Sequence, residues 1–191
     1  MIARIDHVSI VVKNYDNALN FFQNILGGIP GAQGVERDQE YLWKILSLGD
    51  LSRIELLTPT GKRSFLEKFL ENRDNGGVHH INIQTPDIYR AREILERHHI
   101  PYFDFHDSGP SWKELFIHPR DAFGVLIQIA EFPPDLFLHD SVKLAGKRKW
   151  SVSQSENGCT VRFVHPGGGT AAIALTKAEV RALASDLNQI L

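Results

Sequence analysis

Residues 4–10 read RIDHVSI, and residues 77–83 read GVHHINI. Both stretches alternate apolar and polar positions and are rich in β-branched residues, a pattern typical of β-strands. Each carries a histidine where the strand pattern calls for an apolar residue, His7 in the first and His80 in the second. The two histidines are 73 positions apart (80 − 7), which indicates that one strand occurs twice in a duplicated fold.

A second pair of stretches has the same spacing. Residues 53–57, RIELL, match residues 126–130, LIQIA, and place Glu55 and Gln128 at equivalent positions, again 73 apart (128 − 55). Both are polar residues inside apolar strands. Two segments with one common spacing predict an internal repeat. A Trp-Lys pair also recurs at a spacing of 69, as Trp43-Lys44 and Trp112-Lys113.

The elements around these strands divide the chain in the same way. In each half, the sequence pattern predicts a strand, a helix and three further strands. A connecting helix between the halves is predicted over residues 65–70. The predicted strands cover residues 3–12, 33–37, 41–48, 52–57, 78–84, 102–105, 113–118 and 124–129. The first helix is predicted over residues 15–26, stopped by Gly27-Gly28, and the second from an N-cap at Thr85. The order βαβββ, connector, βαβββ predicts an α+β fold of paired βαβββ modules, over about residues 1–60 and 75–132.

The repeat ends after residue 132, where Pro133-Pro134 begins a segment without a strong period. We interpret residues 1–132 as the duplicated domain, residues 133–149 as a linker and residues 150–191 as a small C-terminal β-plus-helix annex. The annex predicts strands over residues 150–154, 160–164 and 171–175, followed by a helix. Thr176 and Glu179 form a capping-box pattern at the start of that helix.

Composition limits the classes of function. The chain has 191 residues, of which 42% are hydrophobic and 23% charged, with a formal net charge of −2. Without a basic excess, nucleic-acid binding is not expected. No apolar run reaches the roughly 20 residues that span a bilayer, and no signal-peptide pattern opens the chain. Because Cys159 is the single cysteine, we expect a soluble cytoplasmic protein without a disulfide framework.

The polar residues that interrupt the apolar strands form a candidate site, namely His7, Glu55, His80 and Gln128. A single polar residue in an apolar strand is more often structural. Four such residues, in two pairs with the same spacing, favour a common function. If the modules pair about a pseudo-twofold axis, the side chains converge as two imidazoles, a carboxylate and an amide oxygen. These are ligands for a divalent metal ion, with positions left for water or substrate. Strict strand alternation also predicts that Asp6 points away from His7, and His79 from His80.

Four stretches add a resemblance to a known family: IDHV at 5–8, FLEKFL at 65–70, GVHHI at 77–81, and HPRD at 118–121 leading into GVLI at 124–127. They resemble the vicinal oxygen chelate superfamily, which includes glyoxalase I, extradiol dioxygenases, bleomycin-resistance proteins and methylmalonyl-CoA epimerase. The closest likeness is to the epimerase branch. The resemblance covers roughly residues 3–132 and implies a glyoxalase-like domain with a metal-centred cavity, leaving the annex unexplained.

The resemblance implies a role for each candidate residue. His7 and His80 match the family's two histidine ligands. Glu55 matches a position that is glutamine in the epimerase and glutamate in glyoxalase I, while Gln128 matches a ligand glutamate that takes part in proton transfer in both. The amide and the carboxylate are therefore exchanged between the modules, which makes Glu55 a candidate base as well as a ligand. The epimerase's second acid/base glutamate aligns with Lys44, the candidate for the second proton-transfer group.

Three functions remain open. The first is a metal-dependent isomerase that abstracts a proton α to a thioester carbonyl, resembling methylmalonyl-CoA epimerase. The second is a glyoxalase I-like lyase acting on a glutathione hemithioacetal, and the third is a non-catalytic metal-containing protein that binds a small molecule. Extradiol dioxygenase chemistry is disfavoured because Gln128 stands where that branch carries a carboxylate.

The sequence also leaves the cofactor and the assembly open. Cobalt, nickel, manganese, magnesium, zinc and iron all suit the mixed nitrogen and oxygen ligands. The expected partners are an acyl-CoA or a glutathione adduct, together with a second copy of the chain in a homodimer. The modules can pair within one chain or across that dimer.

Overall fold

The computed structural model describes residues 2–48, 52–133, 136, 150–164 and 170–190. The chain divides into two compact units, Met1–Leu48 with Ser52–His139, and Gly49–Leu51 with Asp140–Leu191. Most of the predicted linker lies outside the described residues, so the domain boundary at residue 132 stays a prediction. Among the described residues, no helix is long and apolar enough to cross a lipid bilayer.

The first unit repeats one order of elements, and this confirms the predicted duplication. Its first module contains β1 (Arg4–Val12), α1 (Tyr15–Leu19), a π-helix (Asn20–Ile25), β2 (Ile29–Glu36), β3 (Tyr41–Ser47) and β4 (Arg53–Pro59). A connecting helix, α2 (Phe65–Leu70), leads to the second module. That module contains β5 (Gly76–Gln84), α3 (Ile88–Arg97), β6 (Phe103–Asp107), β7 (Lys113–Ile117) and β8 (Leu126–Glu131), with short 3-10 turns at Gly109–Ser111 and Pro119–Asp121.

All eight strands form one mixed sheet in the order β2-β3-β4-β1-β5-β8-β7-β6. β1 and β5 pair antiparallel at its centre, β1 pairs parallel with β4, and β5 pairs parallel with β8. If each strand is exchanged with its counterpart in the other module, the result is the same strand order read backwards. A pseudo-twofold axis therefore passes between β1 and β5. The strands that carry the four candidate residues are therefore neighbours, in the order β4-β1-β5-β8. The α+β fold of paired modules is confirmed.

Each module buries an apolar cluster on the face of the sheet that its helix covers. The cluster of the first module contains Val12, Leu46 and Leu56, with Leu19 and Phe22 packed against them. The cluster of the second contains Ile88, Ala91, Leu95, Leu115, Ile117 and Ile129. Full burial of one such aliphatic side chain larger than alanine is worth about 1.5–3 kcal/mol, which fixes which face of each strand turns inward. Because neighbouring strand residues alternate, Glu55 and Gln128 lie on the face opposite these clusters.

The central pair of strands carries two β-bulges that the duplication relates to each other. The register steps from Ile5↔Ile83 to His7↔Asn82, which leaves Asp6 as the extra residue of β1. It steps again from Ser9↔His80 to Ile10↔Val78, which leaves His79 as the extra residue of β5. The two bulged residues are themselves 73 apart (79 − 6). A bulge breaks strict alternation and redirects a side chain, so the prediction that Asp6 and His79 point away from the neighbouring histidines is wrong.

Some helix and strand ends differ from the predictions. The first helix is α-helical only over Tyr15–Leu19 and continues as the π-helix. It still ends before Gly27, whose φ of +77° lies in the left-handed region that favours glycine. The N-cap of α3 is Asp87 rather than Thr85, because the Asp87 carboxylate accepts the N–H of Arg90, whereas the Thr85 hydroxyl accepts the N–H of Asp87 before the helix begins. β2 begins at Ile29, ahead of the predicted start at residue 33.

The second unit matches the predicted annex in its elements. β9 (Trp150–Ser155), β10 (Gly158–Val164) and β11 (Thr170–Thr176) form an antiparallel sheet with β10 in the middle. α4 (Lys177–Asn188) follows directly. Its capping box is present: the Thr176 side chain accepts the N–H of Glu179, and the Glu179 carboxylate accepts the N–H of Thr176.

Candidate metal centre

Three of the four predicted ligands come together on the sheet face opposite α1 and α3. His7 lies on β1, Glu55 on β4 and His80 on β5, and their ligating atoms lie within 4.8 Å of one another. Glu55 Oε2 is 3.7 Å from His7 Nε2 and 3.7 Å from His80 Nε2. Both histidines are buried and Glu55 is half-buried. Two imidazole nitrogens and one carboxylate oxygen at these separations suit a divalent metal ion.

The ring of His7 is oriented by the residue before it. Nδ1 of His7 lies 2.9 Å from Oδ2 of Asp6 and donates to it, so Nε2 carries the lone pair. Within the described part of the chain, this Nε2 is buried without a hydrogen-bond partner. An unsatisfied buried polar atom costs about 1–3 kcal/mol, and a metal ion bound at that nitrogen removes the cost. The orphaned nitrogen therefore shows that the cluster fits a metal ion.

Asp6 is held in its charged form behind His7. Arg4 Nη2 donates to Oδ1 of Asp6 at 2.8 Å, and Arg53 Nη1 lies 3.5 Å from Oδ2. Burial raises the pKa of Asp6, but the hydrogen bond from His7 and the positive charges of Arg53 and Arg4 outweigh burial and leave the pKa lowered. A carboxylate behind a metal-binding imidazole fixes the ring and increases its basicity. Sequence reasoning missed this role because it assumed an unbulged strand.

His80 has different neighbours from His7. His79 Nδ1 lies 2.9 Å from His80 Nδ1, and Ser9 Oγ lies 2.8 Å from His80 Nε2. Ser9 also hydrogen-bonds Oε2 of Glu55, so one hydroxyl contacts two members of the cluster. Burial, followed by the charges of His7 and His79, holds the pKa of His80 well below its usual range. The His80 ring is therefore neutral near pH 7, the form that binds a metal ion.

Gln128 lies beside the cluster, and its amide is engaged on both sides. Its Oε1 accepts from Asn82 Nδ2 at 2.7 Å, and its Nε2 donates to Oε2 of Glu114 at 2.6 Å. An amide oxygen has two lone pairs, so Oε1 has one more for an ion. Gln128 as the fourth ligand stays a prediction.

Glu114 is a further residue at this site that sequence reasoning missed. It lies on β7 and is half-buried. Burial raises the pKa of Glu114 more than the hydrogen bonds from Gln128 and Trp112 lower it, and the negative charge of Glu55 adds to the rise. The alternation of β7 places Glu114 on the same face as Phe116, which pairs with Gln128, but that pairing depends on a register that the sequence does not give.

Lys44 is not brought to the cluster. It pairs with Leu56 across β3 and β4, whereas Glu55 pairs with Ile45. Side chains of paired strand residues share a face, so Lys44 lies on the face that α1 covers. Its Nζ donates to the carbonyl oxygen of Gly31 at 3.0 Å, and burial lowers its pKa. The alignment with the epimerase misled the assignment, because it does not show which face of β3 a residue lies on.

Comparisons with known proteins agree with this architecture. The family described as the glyoxalase/bleomycin resistance protein/dioxygenase superfamily matches residues 6–116. The chain is 34% identical over 134 residues to the ethylmalonyl-CoA/methylmalonyl-CoA epimerase of Cereibacter sphaeroides, covering 69% of this chain and 99% of that protein.

Solved structures give the same result. The crystal structure of methylmalonyl-CoA epimerase from Mycobacterium tuberculosis has a TM-score of 0.63 and 28% identity, covering 71% of this chain and 91% of that chain. A variant of the Streptomyces coelicolor methylmalonyl-CoA epimerase in complex with 2-nitronate-propionyl-CoA has a TM-score of 0.61 and 26% identity, covering 69% of this chain and 99% of that chain. By its sequence match and its paired-module sheet, this chain belongs to the glyoxalase/bleomycin resistance protein/dioxygenase superfamily.

Proposed function

We propose that this protein is a metal-dependent epimerase that inverts the α-carbon of an acyl-CoA thioester. The observation that carries the proposal is the cluster of His7, Glu55 and His80, with the orphaned Nε2 of His7 at its centre. The identity to an ethylmalonyl-CoA/methylmalonyl-CoA epimerase across 99% of that protein supports the substrate class. A homodimer and a cytoplasmic location are part of the same proposal.

In this proposal His7, Glu55 and His80 hold a divalent ion, and Gln128 is the fourth candidate ligand. Such an ion, when bound, supplies a Lewis acid that polarises the thioester carbonyl and stabilises negative charge on its oxygen. The chain's own residues prepare the ligands. Asp6 accepts the N–H at Nδ1 of His7 and so leaves the lone pair on Nε2, and burial keeps the ring of His80 neutral.

Glu55 is the proposed base, since it is the single carboxylate among the four candidate ligands. Among the described residues, its ion-pair contacts are with His7 and His80 and not with a lysine or an arginine. Ser9 hydrogen-bonds Oε2 and so positions the carboxylate. A carboxylate positioned in this way can accept a proton from a carbon whose acidity the neighbouring carbonyl has increased.

The proposal is tested by measuring metal content and α-proton exchange on the full chain. Purified protein is stripped with a chelator, reloaded with one divalent ion at a time, and incubated in D₂O with methylmalonyl-CoA or ethylmalonyl-CoA. We expect about one ion per chain, and deuterium uptake at the α-carbon that stops on stripping and returns on reloading. Equal uptake by stripped and loaded protein contradicts the metal-dependent reaction.

A hemithioacetal of glutathione in the same assay tests the glyoxalase I-like alternative. Isomerisation of that adduct, without exchange from either thioester, would assign the site to lyase chemistry. Metal binding with neither reaction would favour a non-catalytic binding protein.

A further inference from the structure

The strand registers define which residues of the two modules are equivalent. In the first module, Trp43 on β3 lies opposite Leu57 on β4. In the second, Glu114 on β7 lies opposite Ala130 on β8. Leu57 and Ala130 are 73 positions apart (130 − 57), the spacing that relates the two buried histidines. Glu114 is therefore the counterpart of Trp43.

Each module presents one carboxylate and one uncharged side chain at these equivalent positions. The first module has Glu55 on β4 with Trp43 diagonally across on β3, and the second has Gln128 on β8 with Glu114 diagonally across on β7. The carboxylate thus occupies the inner strand in one module and the outer strand in the other. The carboxylate positions are therefore asymmetric, although the two modules have equivalent strands.

Glu114 faces the same space as the histidine cluster. Its Oε2 accepts from Nε2 of Gln128, and Gln128 interacts with His80 in turn. Phe116, two positions along the same face of β7, has its ring centroid 6.3 Å from that of His80. In the order β3-β4-β1-β5-β8-β7, Glu55 and Glu114 lie on opposite sides of the central strands. A substrate seated over the two histidines has one carboxylate on either side.

We infer that Glu114 is the second proton-transfer residue of this site and acts on the face of the α-carbon opposite to Glu55. The inference rests on the proposed function. For one enantiomer, the Glu55 carboxylate takes the α-proton: the C–H bond breaks, an O–H bond forms, and the electron pair moves onto the thioester carbonyl. Protonated Glu114 then gives its proton to the other face: its O–H bond breaks, the electron pair returns from the carbonyl oxygen to form the new C–H bond, and Glu114 becomes a carboxylate. The other enantiomer uses the two groups in the reverse order, and no further reactant is consumed.

The same contact explains why residue 128 is an amide. A glutamate there would place an oxygen where Nε2 now lies, 2.6 Å from Oε2 of Glu114, and two carboxylates that close repel each other. Glu55 meets no such conflict, because the equivalent neighbour in its own module is Trp43. The pairing of Gln128 with Glu114 in one module and of Glu55 with Trp43 in the other is therefore one coupled asymmetry.

The inference is tested with the separate enantiomers of methylmalonyl-CoA in D₂O, following α-deuterium and inversion independently. In the Glu114→Gln variant we expect inversion to fall on the order of 10²-fold or more, while exchange continues from the one enantiomer that Glu55 deprotonates. Glu55→Gln should spare exchange from the other enantiomer instead. Glu114→Asp, which keeps a carboxylate, should recover part of the inversion.

Two controls separate a role in proton transfer from a role in folding. Titration of the stripped protein with Co²⁺ should give the same stoichiometry for Glu114→Gln as for wild type, because the new amide still accepts from Gln128. Glu93→Gln, on the exposed surface of α3, should leave inversion unchanged.

If Glu114→Gln inverts at the wild-type rate, the inference is overturned but the proposed function is not. The same holds if Glu114→Gln loses its bound ion and also loses exchange from both enantiomers, because Glu114 would then have a structural role. A wild-type protein that binds the ion but exchanges neither enantiomer overturns the proposed function, and with it the inference.

Discussion

The two modules place a histidine at the same point of the central strand pair, yet they surround it with different groups. Behind His7 the bulged residue is Asp6, which gives the ring a charged acceptor. Behind His80 the equivalent bulged residue is His79, which offers only another imidazole nitrogen. The duplicated backbone therefore supplies the positions of the candidate ligands, while the residues that break the symmetry supply the charges.

The distribution of carboxylates shows the same division. A fully symmetric site would put a glutamate at 55 and 128, or at 43 and 114, and would leave like groups in like surroundings. Inversion at a carbon needs one group that takes a proton while the other gives one. Burial, as well as the negative charge of Glu55, raises the pKa of Glu114, which favours the protonated form that can give a proton.

Removing the two histidines that the modules share should have the largest effect on metal binding. The double variant His7→Ala with His80→Ala loses two of the three clustered candidate ligands, so we expect bound divalent metal to fall from about one ion per chain to near zero. Metal analysis after dialysis measures this, with His98→Ala, at the end of α3, as the matched control. Stoichiometric metal in the double variant would show that the ion is bound elsewhere.

Substitutions of the two bulged residues should have unequal effects on metal affinity. Asp6→Asn removes the charged acceptor behind His7, and loss of such an outer partner typically weakens metal affinity by about 10- to 100-fold. His79→Asn removes an uncharged neighbour of His80, so its effect on affinity should be smaller. Competition with a chelator of known affinity measures both variants. Equal losses would mean that the charge of Asp6 has no special role.

The amide at position 128 can be tested as a stability effect. In metal-free protein, Gln128→Glu should lower the free energy of unfolding on the order of 2 kcal/mol at pH 7.5, because it adds a second carboxylate beside Glu114. Repulsion raises a folded-state pKa above its unfolded value, so the loss should grow as pH rises through that pKa and fade toward pH 4. Urea unfolding at several pH values measures this.

A compensating variant checks the cause. Gln128→Glu combined with Glu114→Gln restores one amide and one carboxyl group, and should recover most of the lost stability. A double variant as unstable as Gln128→Glu alone would point to packing rather than charge.

Lys44→Ala should have the smallest effect on catalysis. Lys44 lies on the opposite face of the sheet and bonds to the carbonyl of Gly31, so rates of α-exchange and inversion should stay within about twofold of wild type. A large loss of inversion with intact exchange would instead support the sequence-based assignment of Lys44.

The sequence predicts the fold well because the repeat is visible in polar residues that apolar strands do not normally contain. His7, Glu55 and His80 were predictable for the same reason, since polar residues in apolar strands stand out and one spacing links them. Asp6 and His79 were missed because periodicity assumes a regular strand, and a bulge depends on pairing between distant segments. Glu114 was missed because its place opposite Ala130 depends on the register between β7 and β8, which strand periodicity does not give.

The account depends most directly on the two carboxylates, one from each module, so the decisive measurement is α-deuterium uptake by the double variant Glu55→Gln with Glu114→Gln. Both glutamines keep the shape and oxygen of the residues they replace, and we expect bound metal to remain near one ion per chain. Uptake into either enantiomer of methylmalonyl-CoA should then fall to about 1% of the wild-type rate or less. Uptake near the wild-type rate, with the ion in place, would mean that other groups move the proton.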